Sequence, residues 1–389
     1  GSEMKETVVR TTTDASTLRR DGSPTVTILG SGVALGVYLP ALLVAYGLKA
    51  RGVAVEVAVL ENLLLPEKKA KLPENKKAFH SNFRLALAGQ KMAVDLLPGC
   101  DRRELARLFA VWQRKKRTRF IVFSGFWMSI LREFRNEYPA VELNVEIVHM
   151  DAAVSASWRL FGEESLRYHN TWLFNLAESK VNFRLPVGKA DPVPFGERPP
   201  RCVVHGGGWG MGTYREKIAS LTHSDMELSI VAYETAEATE YDRGQKWYMV
   251  DPAWFPWLKN EHNEHEFPPF GELLPGQRTL FKNRPEYHEL FEVIRSCRAI
   301  ISKPGGATLL DSLAAATPLV MLEPFGDYEQ RNAELWQRLG FGIPYPEWAA
   351  AGFDQDLLRR LHDNLEKARR ETPDYVADYV KRNRDLMGA

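Results

Sequence analysis

The order strand, glycine-rich turn, helix occurs twice in this chain, and that doubling constrains the fold more than any other feature. Thr25–Leu29 is a short β run that stops at Gly30-Ser31-Gly32 and leads into a helical segment over Tyr38–Arg51. Arg201–Val204 is a second apolar run, followed by His205-Gly206-Gly207-Gly208-Trp209-Gly210-Met211-Gly212. Glycines at such turns let the backbone approach a ligand or a neighbouring segment closely, and the following helix offers unpaired N–H groups. Further strand signals follow each turn: Val53–Leu60, Phe120–Ser124 and Val145–His149 in the first half, then Leu228–Tyr233, Ala299–Ser302 and Leu319–Leu322 in the second. Helical segments, among them Arg102–Arg117 and Met128–Glu137, lie between them. Alternation of this kind predicts parallel sheets covered by helices. The expected class is α/β, with two Rossmann-like domains facing a central cleft.

A length of 389 residues fits two domains better than one core. Residues 1–23 are polar and read as a disordered tail. Residues 24–188 form the first domain, the Pro-rich stretch 189–200 a linker, and 201–389 the second domain, closing with charged helices of which one can cross back to the first. Hydrophobic residues make up 44% and charged residues 26%, a globular composition. No apolar run reaches the roughly 20 residues of a membrane span, and no secretory signal is visible, so a cytoplasmic protein is expected. Cys100, Cys202 and Cys297 are odd in number and far apart, which suggests neither a disulfide framework nor a zinc site.

Net charge is +1 but unevenly spread. Residues 1–150 hold 23 Lys and Arg against 15 Asp and Glu, and the remainder holds 28 against 35. The excess lies in Lys68–Lys77 and Arg114–Arg119. Such runs are most often solvated faces; read functionally, they suit an anionic acceptor or a membrane surface. Nucleic acid is not expected, because the runs lack interleaved aromatics and no nucleic-acid motif accompanies them.

The segment Ser302–Asn332 carries the chemistry. Ala299–Ser302 is a strand, Pro304-Gly305-Gly306 a turn, and a helix opens near Thr308 and stops before Pro318. Gly305, Gly306 and the Thr308 hydroxyl suit a diphosphate at the helix N-terminus. Asp311 lies one turn further on the same face, where its carboxylate can accept both hydroxyls of a ribose. Glu329, Gln330 and Asn332 are expected in a loop at the C-terminal edge of the sheet, with groups that suit the hydroxyls of a sugar.

This segment resembles the donor-binding signature of GT-B-fold glycosyltransferases. Similar enzymes are the bacterial transferase that adds N-acetylglucosamine to the peptidoglycan lipid intermediate, and the antibiotic and plant UDP-glycosyltransferases. Gly305, Gly306 and Thr308 match their Gly-Gly-x-Thr, Asp311 stands where a ribose-binding Glu is usual, and Glu329-Gln330 with Asn332-Ala333 completes the pattern. Close matching spans Ile294–Gly342. The resemblance also places Gly207, Gly208 and Gly210 with the donor. It implies transfer of a sugar from a nucleotide donor, expected to be UDP-linked, with inversion and with no metal or other cofactor. The acceptor is expected to be an anionic small molecule rather than a lipid-linked one. Two departures stand out: Lys303 occupies the approach to the glycine pair where plant-type members carry His, and Gly32–Pro40 lacks the catalytic His that many members place after the first turn.

His80 and Asp151 are therefore level candidates for the catalytic base, with Tyr38 and His149 behind them. His80 precedes a helix expected over Ser81–Leu97, and Asp151 follows the strand ending at His149. His262-Asn263-Glu264-His265-Glu266 crowds metal-binding side chains, but flanking prolines argue for an irregular loop rather than the helix of a zinc site. Trp247, Tyr248, Trp254, Phe255 and Trp257 read chiefly as packing within an inserted loop. Three rival readings stay open: an NAD(P)-dependent oxidoreductase built on Gly30–Gly36 and Glu61, a GT-B nucleotide-sugar epimerase, and a non-catalytic sugar-binding protein.

Overall fold

The computed structural model describes residues 24–33, 35–91, 93–207, 212–221, 224–238 and 244–387. The expected disordered tail and the turn positions Gly208 and Gly210 lie outside the described residues.

The first sheet is built from β1 (Val26–Gly30), β2 (Val55–Val59), β3 (Arg119–Val122), β4 (Asn144–His149) and β5 (His169–Trp172). Its order is β2-β1-β3-β4-β5, and every pairing is parallel. A small hairpin of β6 (Phe174–Asn175) and β7 (Lys180–Val181) follows. The second sheet holds β8 (Arg201–Val204), β9 (Glu227–Ala232), β10 (Lys246–Val250), β11 (Phe270–Leu273), β12 (Ala299–Ser302), β13 (Leu319–Met321) and β14 (Gly342–Pro344). Its order is β11-β10-β9-β8-β12-β13-β14, parallel except at β10–β11. All five residues of β1 and all four of β8 and β12 are buried. Strands covered on both faces need such continuous apolar runs, and those runs made the two halves legible in the sequence.

Helices α1 (Leu35–Ala50), α2 (Leu72–Ser81), α3 (Phe83–Lys91), α4 (Arg102–Arg114) and α5 (Trp127–Glu137) belong to the first half. The helix expected over Ser81–Leu97 is the shorter Phe83–Lys91, and a separate helix, α2, precedes it. Asn82 turns extended between α2 and α3, and its side chain accepts from Leu85 N (3.1 Å), restarting the helix as an N-cap does. In the second half α6 (Tyr214–Leu221), α7 (Leu290–Ser296), α8 (Gly306–Ala315), α9 (Asp327–Arg338) and α10 (Gln355–Glu371) cover the sheet. Helix α11 (Tyr375–Arg382) crosses back to the first sheet. There Glu146 of β4 accepts from Tyr375 and from two Arg382 nitrogens at 2.8 and 3.0 Å. Arg119 binds Asn383 (2.9 Å) and Asp385, and Arg117 is held by Glu56, so part of the Arg114–Arg119 run is spent inside the molecule. Helices α1 and α8 pack on each other, and one apolar cluster contains residues of both halves, including Leu42, Ile121, Val203, Leu309 and Leu313.

Among the described residues the three cysteines are buried and unbridged, and no helix is long and apolar enough to cross a membrane.

Candidate functional site

In the second sheet the chain order reverses between β8 and β12, which are neighbours. Open α/β sheets bind ligands beyond the C-terminal ends of strands at such a switch point. Here the turn after β8 (His205–Gly207) and the turn after β12 (Lys303–Gly305) sit side by side. A Cβ on Gly207 would lie 3.5 Å from Lys303 Nζ, and one on Gly305 would lie 3.4 Å from it. The Lys303 ammonium thus stands between the two turns, at the N-terminal end of α8. Its side chain is partly buried, 11% exposed, and paired with Glu329 Oε2 at 2.9 Å, while Glu329 Oε1 accepts from Phe325 N at 2.8 Å. Sequence reasoning noted Lys303 only as a departure from a motif; its place directly before Pro-Gly-Gly was the available signal.

Helix α8 begins at Gly306, two residues before the expected Thr308, with Gly305 extended as its N-cap. Glycine at 306 is required by space: a Cβ there would meet the Met150 carbonyl oxygen at 2.1 Å. Asp151 follows directly, and Asn332 Nδ2 donates to its Oδ1 at 2.7 Å. Burial pushes the Asp151 carboxyl up to about 7; the Asn332 bond, Lys303 and the Gly306 N–H act against that, and Glu329 reinforces it. Thr308 and Asp311 are both buried on α8. The Asp311 carboxylate is already engaged: His288 Nε2 lies 2.9 and 3.1 Å from its two oxygens. Among the described residues, His288 Nδ1 and the nearby His205 Nε2 are buried without a hydrogen-bond partner. Burial, then Lys303 and His288, press the His205 imidazole down to about 3, so it is neutral. Its Nδ1 accepts from Gly207 N (3.1 Å), which leaves the proton on Nε2. Neither histidine was singled out from the sequence. His288 gains its meaning only from Asp311, which lies 23 residues away.

Glu329, Gln330 and Asn332 are not in a loop, as expected, but in the first turns of α9. Glu329, Asn332, Leu335 and Trp336 form its buried face. Polar residues at the first two of these positions broke the apolar period that would have announced a helix. Gln330 is exposed. Asn332 is fully buried and its amide is taken up by the chain: Oδ1 accepts from Ala152 N (2.6 Å), and Nδ2 also donates to Pro304 O (3.0 Å).

The other base candidate, His80, lies within α2 near its end rather than in a loop. Its Nε2 is 3.0 Å from Glu237 Oε1, and its ring lies against Tyr233, whose hydroxyl donates to the Gly207 carbonyl. Burial opposes charge on Glu237, but the His80 contact and the N–H groups of Tyr233 and Glu234 hold its pKa below the ordinary value. His80 therefore neighbours the turn after β8 through Tyr233, whereas Asp151 neighbours the turn after β12. Tyr38 is spent on the Glu266 carbonyl (2.6 Å), and His149 is stacked on Trp172 and bonded to Asn170 (2.7 Å).

The first glycine-rich turn is filled by protein. Glu61 is completely buried, accepting from Gly32 N at 2.5 Å and Ser31 Oγ at 2.9 Å, and a Cβ on Gly32 would strike Pro256 at 2.6 Å. Residues 251–269, which include His262 and His265, clasp this turn; His265 Nδ1 contacts the Pro256 carbonyl. Trp247 and Tyr248 belong to strand β10 rather than to an inserted loop, while Trp254 joins the core and Phe255 stacks on Trp257. Among the described residues no three His, Cys, Asp or Glu side chains gather as a metal site would require. A separate cavity of about 640 Å3, lined by Trp172, Phe174, Phe183, Asp378 and Arg382 among others, lies at the edge of the first sheet and includes none of the expected donor residues.

Two parallel sheets, a returning C-terminal helix and a ligand-type switch point in the second half define an architecture seen in solved structures. The spinosyn rhamnosyltransferase SpnG superposes with a TM-score of 0.54 at 12% identity, over 94% of this chain and 100% of its own. The chain has the GT-B fold. The Streptomyces sp. SF2575 glycosyltransferase SsfS6, solved with thymidine diphosphate, gives 0.52 at 15% identity over 93% and 99%. MurG of Acinetobacter baumannii gives 0.51 at 12% over 92% and 98%. No protein-family model matches the chain, and no curated protein matches it by sequence.

Proposed function

We propose that this GT-B chain transfers a sugar from a nucleotide donor, UDP-linked, to a small-molecule acceptor held by the first domain. The observation that carries this reading is the placement of the Lys303 ammonium at the N-terminus of α8, between the turns at Gly207 and Gly305. A helix N-terminus and a desolvated cation together form an anion site, and both stabilise a diphosphate as it leaves. No metal is needed for that step. Glu329 holds Lys303 in the meantime, so an arriving phosphate takes over a partner already in position. Asp311, oriented by His288, offers acceptors to the ribose. The exposed Gln330 on α9 is left to read the sugar. His80 is the base, its ring oriented by Glu237, and it takes the acceptor's proton as the nucleophile displaces the diphosphate with inversion. The acceptor's charge would be met by Lys68–Lys77, since Arg117 and Arg119 are occupied within the fold.

The dinucleotide alternative loses its support at Glu61, whose carboxylate faces the turn backbone instead of a ribose. Calorimetric titration with UDP and with NAD tests the choice. Micromolar binding of UDP alone is expected. Binding of NAD alone would return the site to the first sheet.

A further inference from the structure

The peptide Met150–Ala152 at the end of β4 lies across the N-terminus of α8, so an element of the first domain covers the site proposed for the donor's diphosphate. Three contacts fix it there. The Met150 carbonyl fills the space a side chain at 306 would need, Asn332 Nδ2 holds Asp151 Oδ1 at 2.7 Å, and Asn332 Oδ1 accepts from Ala152 N at 2.6 Å. Asn332 has a third bond to Pro304 O, which ties the peptide to the turn before α8. Helix α8 has no side-chain cap of its own, because its N-cap residue is Gly305. A carboxyl group at a helix N-terminus satisfies the same orphan N–H groups that a phosphate would.

We propose that Asp151 is the resident occupant of the phosphate subsite, parked there by Asn332 as a positioning residue, and that a donor's phosphate binds by exchange with it. The inference rests on the reading that a nucleotide diphosphate binds at α8. Both ligands would draw on the Gly306 N–H, which already bears on the Asp151 carboxyl, and the Met150 carbonyl and Asp151 Oδ1 occupy the space beside Gly306, 2.1 and 3.1 Å from where its Cβ would stand. Exchange therefore lifts the 150–152 peptide off α8.

The proton balance gives the exchange a direction in pH. Parked, the Asp151 carboxyl titrates at about 7; displaced into water, it titrates near its ordinary 3.8. The parked form thus holds a proton through the slightly acidic range and gives it up on displacement. Exchange becomes easier as pH rises from about 4 to about 7, by about tenfold per pH unit at most, and levels off above that. The other charged or titratable groups facing Asp151 are Glu329 and Tyr328 from α9 and Lys303 from the turn before α8. All three are common to the proteins compared below.

The test is calorimetric titration of the full chain with UDP and, separately, with inorganic pyrophosphate between pH 5.5 and 8. Wild type, Asp151→Asn and Asp151→Ala are compared. The Asn side chain imitates the protonated acid and stays parked, so that variant is expected to bind weakly. The Ala variant has nothing to park and is expected to bind at least tenfold more tightly. Wild type should run from the Asn-like affinity at pH 5.5 towards the Ala-like affinity at pH 8. Titration of the phosphate itself is shared by all three and drops out of the comparison. Asn332→Ala, which releases the peptide without touching Asp151, should match Asp151→Ala and serves if that variant does not fold. Equal affinities and equal pH slopes for all proteins would overturn the exchange and leave the donor reading standing. The expected pattern with pyrophosphate but no UDP binding would uphold the exchange and remove the nucleotide. Failure of every protein to bind either ligand would remove both.

Discussion

Lys303 brings a full charge into a partly buried place, 11% exposed, and is held there by Glu329 at 2.9 Å and over the Phe325 ring. Breaking a buried pair by removing one member leaves the other charge stranded, at a cost of about 3–5 kcal/mol. Lys303→Met is therefore expected to lower the melting temperature and, in the proposed reaction, to reduce kcat by about 10²–10³, the scale of losing one transition-state charge contact. The double variant Lys303→Met/Glu329→Gln separates the two effects: stability should return while kcat stays low. Recovery of both would show that Lys303 serves only the fold. Asp311 is tested alongside. Asp311→Ala strands His288 and is expected to weaken UDP binding by about tenfold, about 1.4 kcal/mol, with a normal circular dichroism spectrum. Unchanged affinity would end the ribose assignment. Gln330→Ala, on the exposed side of α9, should alter discrimination among UDP-sugars and leave UDP itself bound as before; a matching loss of UDP affinity would point to a disturbed fold.

At the scale of elements, two neighbouring glycines make opposite demands. A Cβ on Gly306 meets the Met150 carbonyl at 2.1 Å, whereas one on Gly305 meets only the side-chain ends of Lys303 and Glu329 at 3.4 and 3.5 Å. Gly306→Ala should destabilise the chain by about 1–3 kcal/mol, as forced overpacking does. Gly305→Ala should melt near wild type and lose affinity for UDP, since it crowds the anion site alone. Thermal melts paired with UDP titrations check both, and equal stability losses in the two variants would contradict the assignment. Strands β1 to β4, β8, β9, β12 and β13 were legible because their apolar runs end at small or polar residues, and Arg201–Val204 and Ala299–Ser302 emerge with unchanged bounds, whereas β5, β10, β11 and β14 were not read from the sequence. Helix α9 was not legible, because Glu329 and Asn332 occupy its buried face. Their burial is explained by Lys303 and Asp151, which no local pattern discloses. The glycines of the donor turn were visible at once; the imidazoles of His205 and His288 were not, since tertiary packing alone brings them to Gly207 and Asp311.

For the whole molecule, two buried acids pull stability down as pH rises. Glu61 beneath the first turn and Asp151 against α8 both titrate at about 7, against ordinary values of 4.5 and 3.8. Burial is the main cause in each, opposed for Glu61 by the Gly32 N–H and the Ser31 hydroxyl. An acid whose folded pKa is raised stabilises the fold below its unfolded pKa and loses that contribution as pH rises through the folded value. Between about pH 4 and pH 7 these two groups therefore favour the folded state less and less. Glu56 and Glu237 act in the opposite sense: their depressed values give stability that is present above the ordinary range and lost below it. The buried His205 and half-buried His265 imidazoles, held at about 3 and about 4 against an ordinary 6.5, cost stability as pH falls below that ordinary value and so oppose the two acids between pH 5.5 and pH 8. Glu61 joins the end of β2 to the first turn and is none of the proposed donor residues, so Glu61→Gln can be read without any ligand. The amide cannot ionise, and it keeps an oxygen to accept from Gly32 N. Compared with the melting temperature of wild type at each pH, that variant should fare better at pH 8 than at pH 5.5, and Glu61→Gln/Asp151→Asn should show the same shift more strongly. A pH dependence identical in all three proteins would show that neither acid is uncharged in the folded chain, and would take the proton balance of the Asp151 exchange with it.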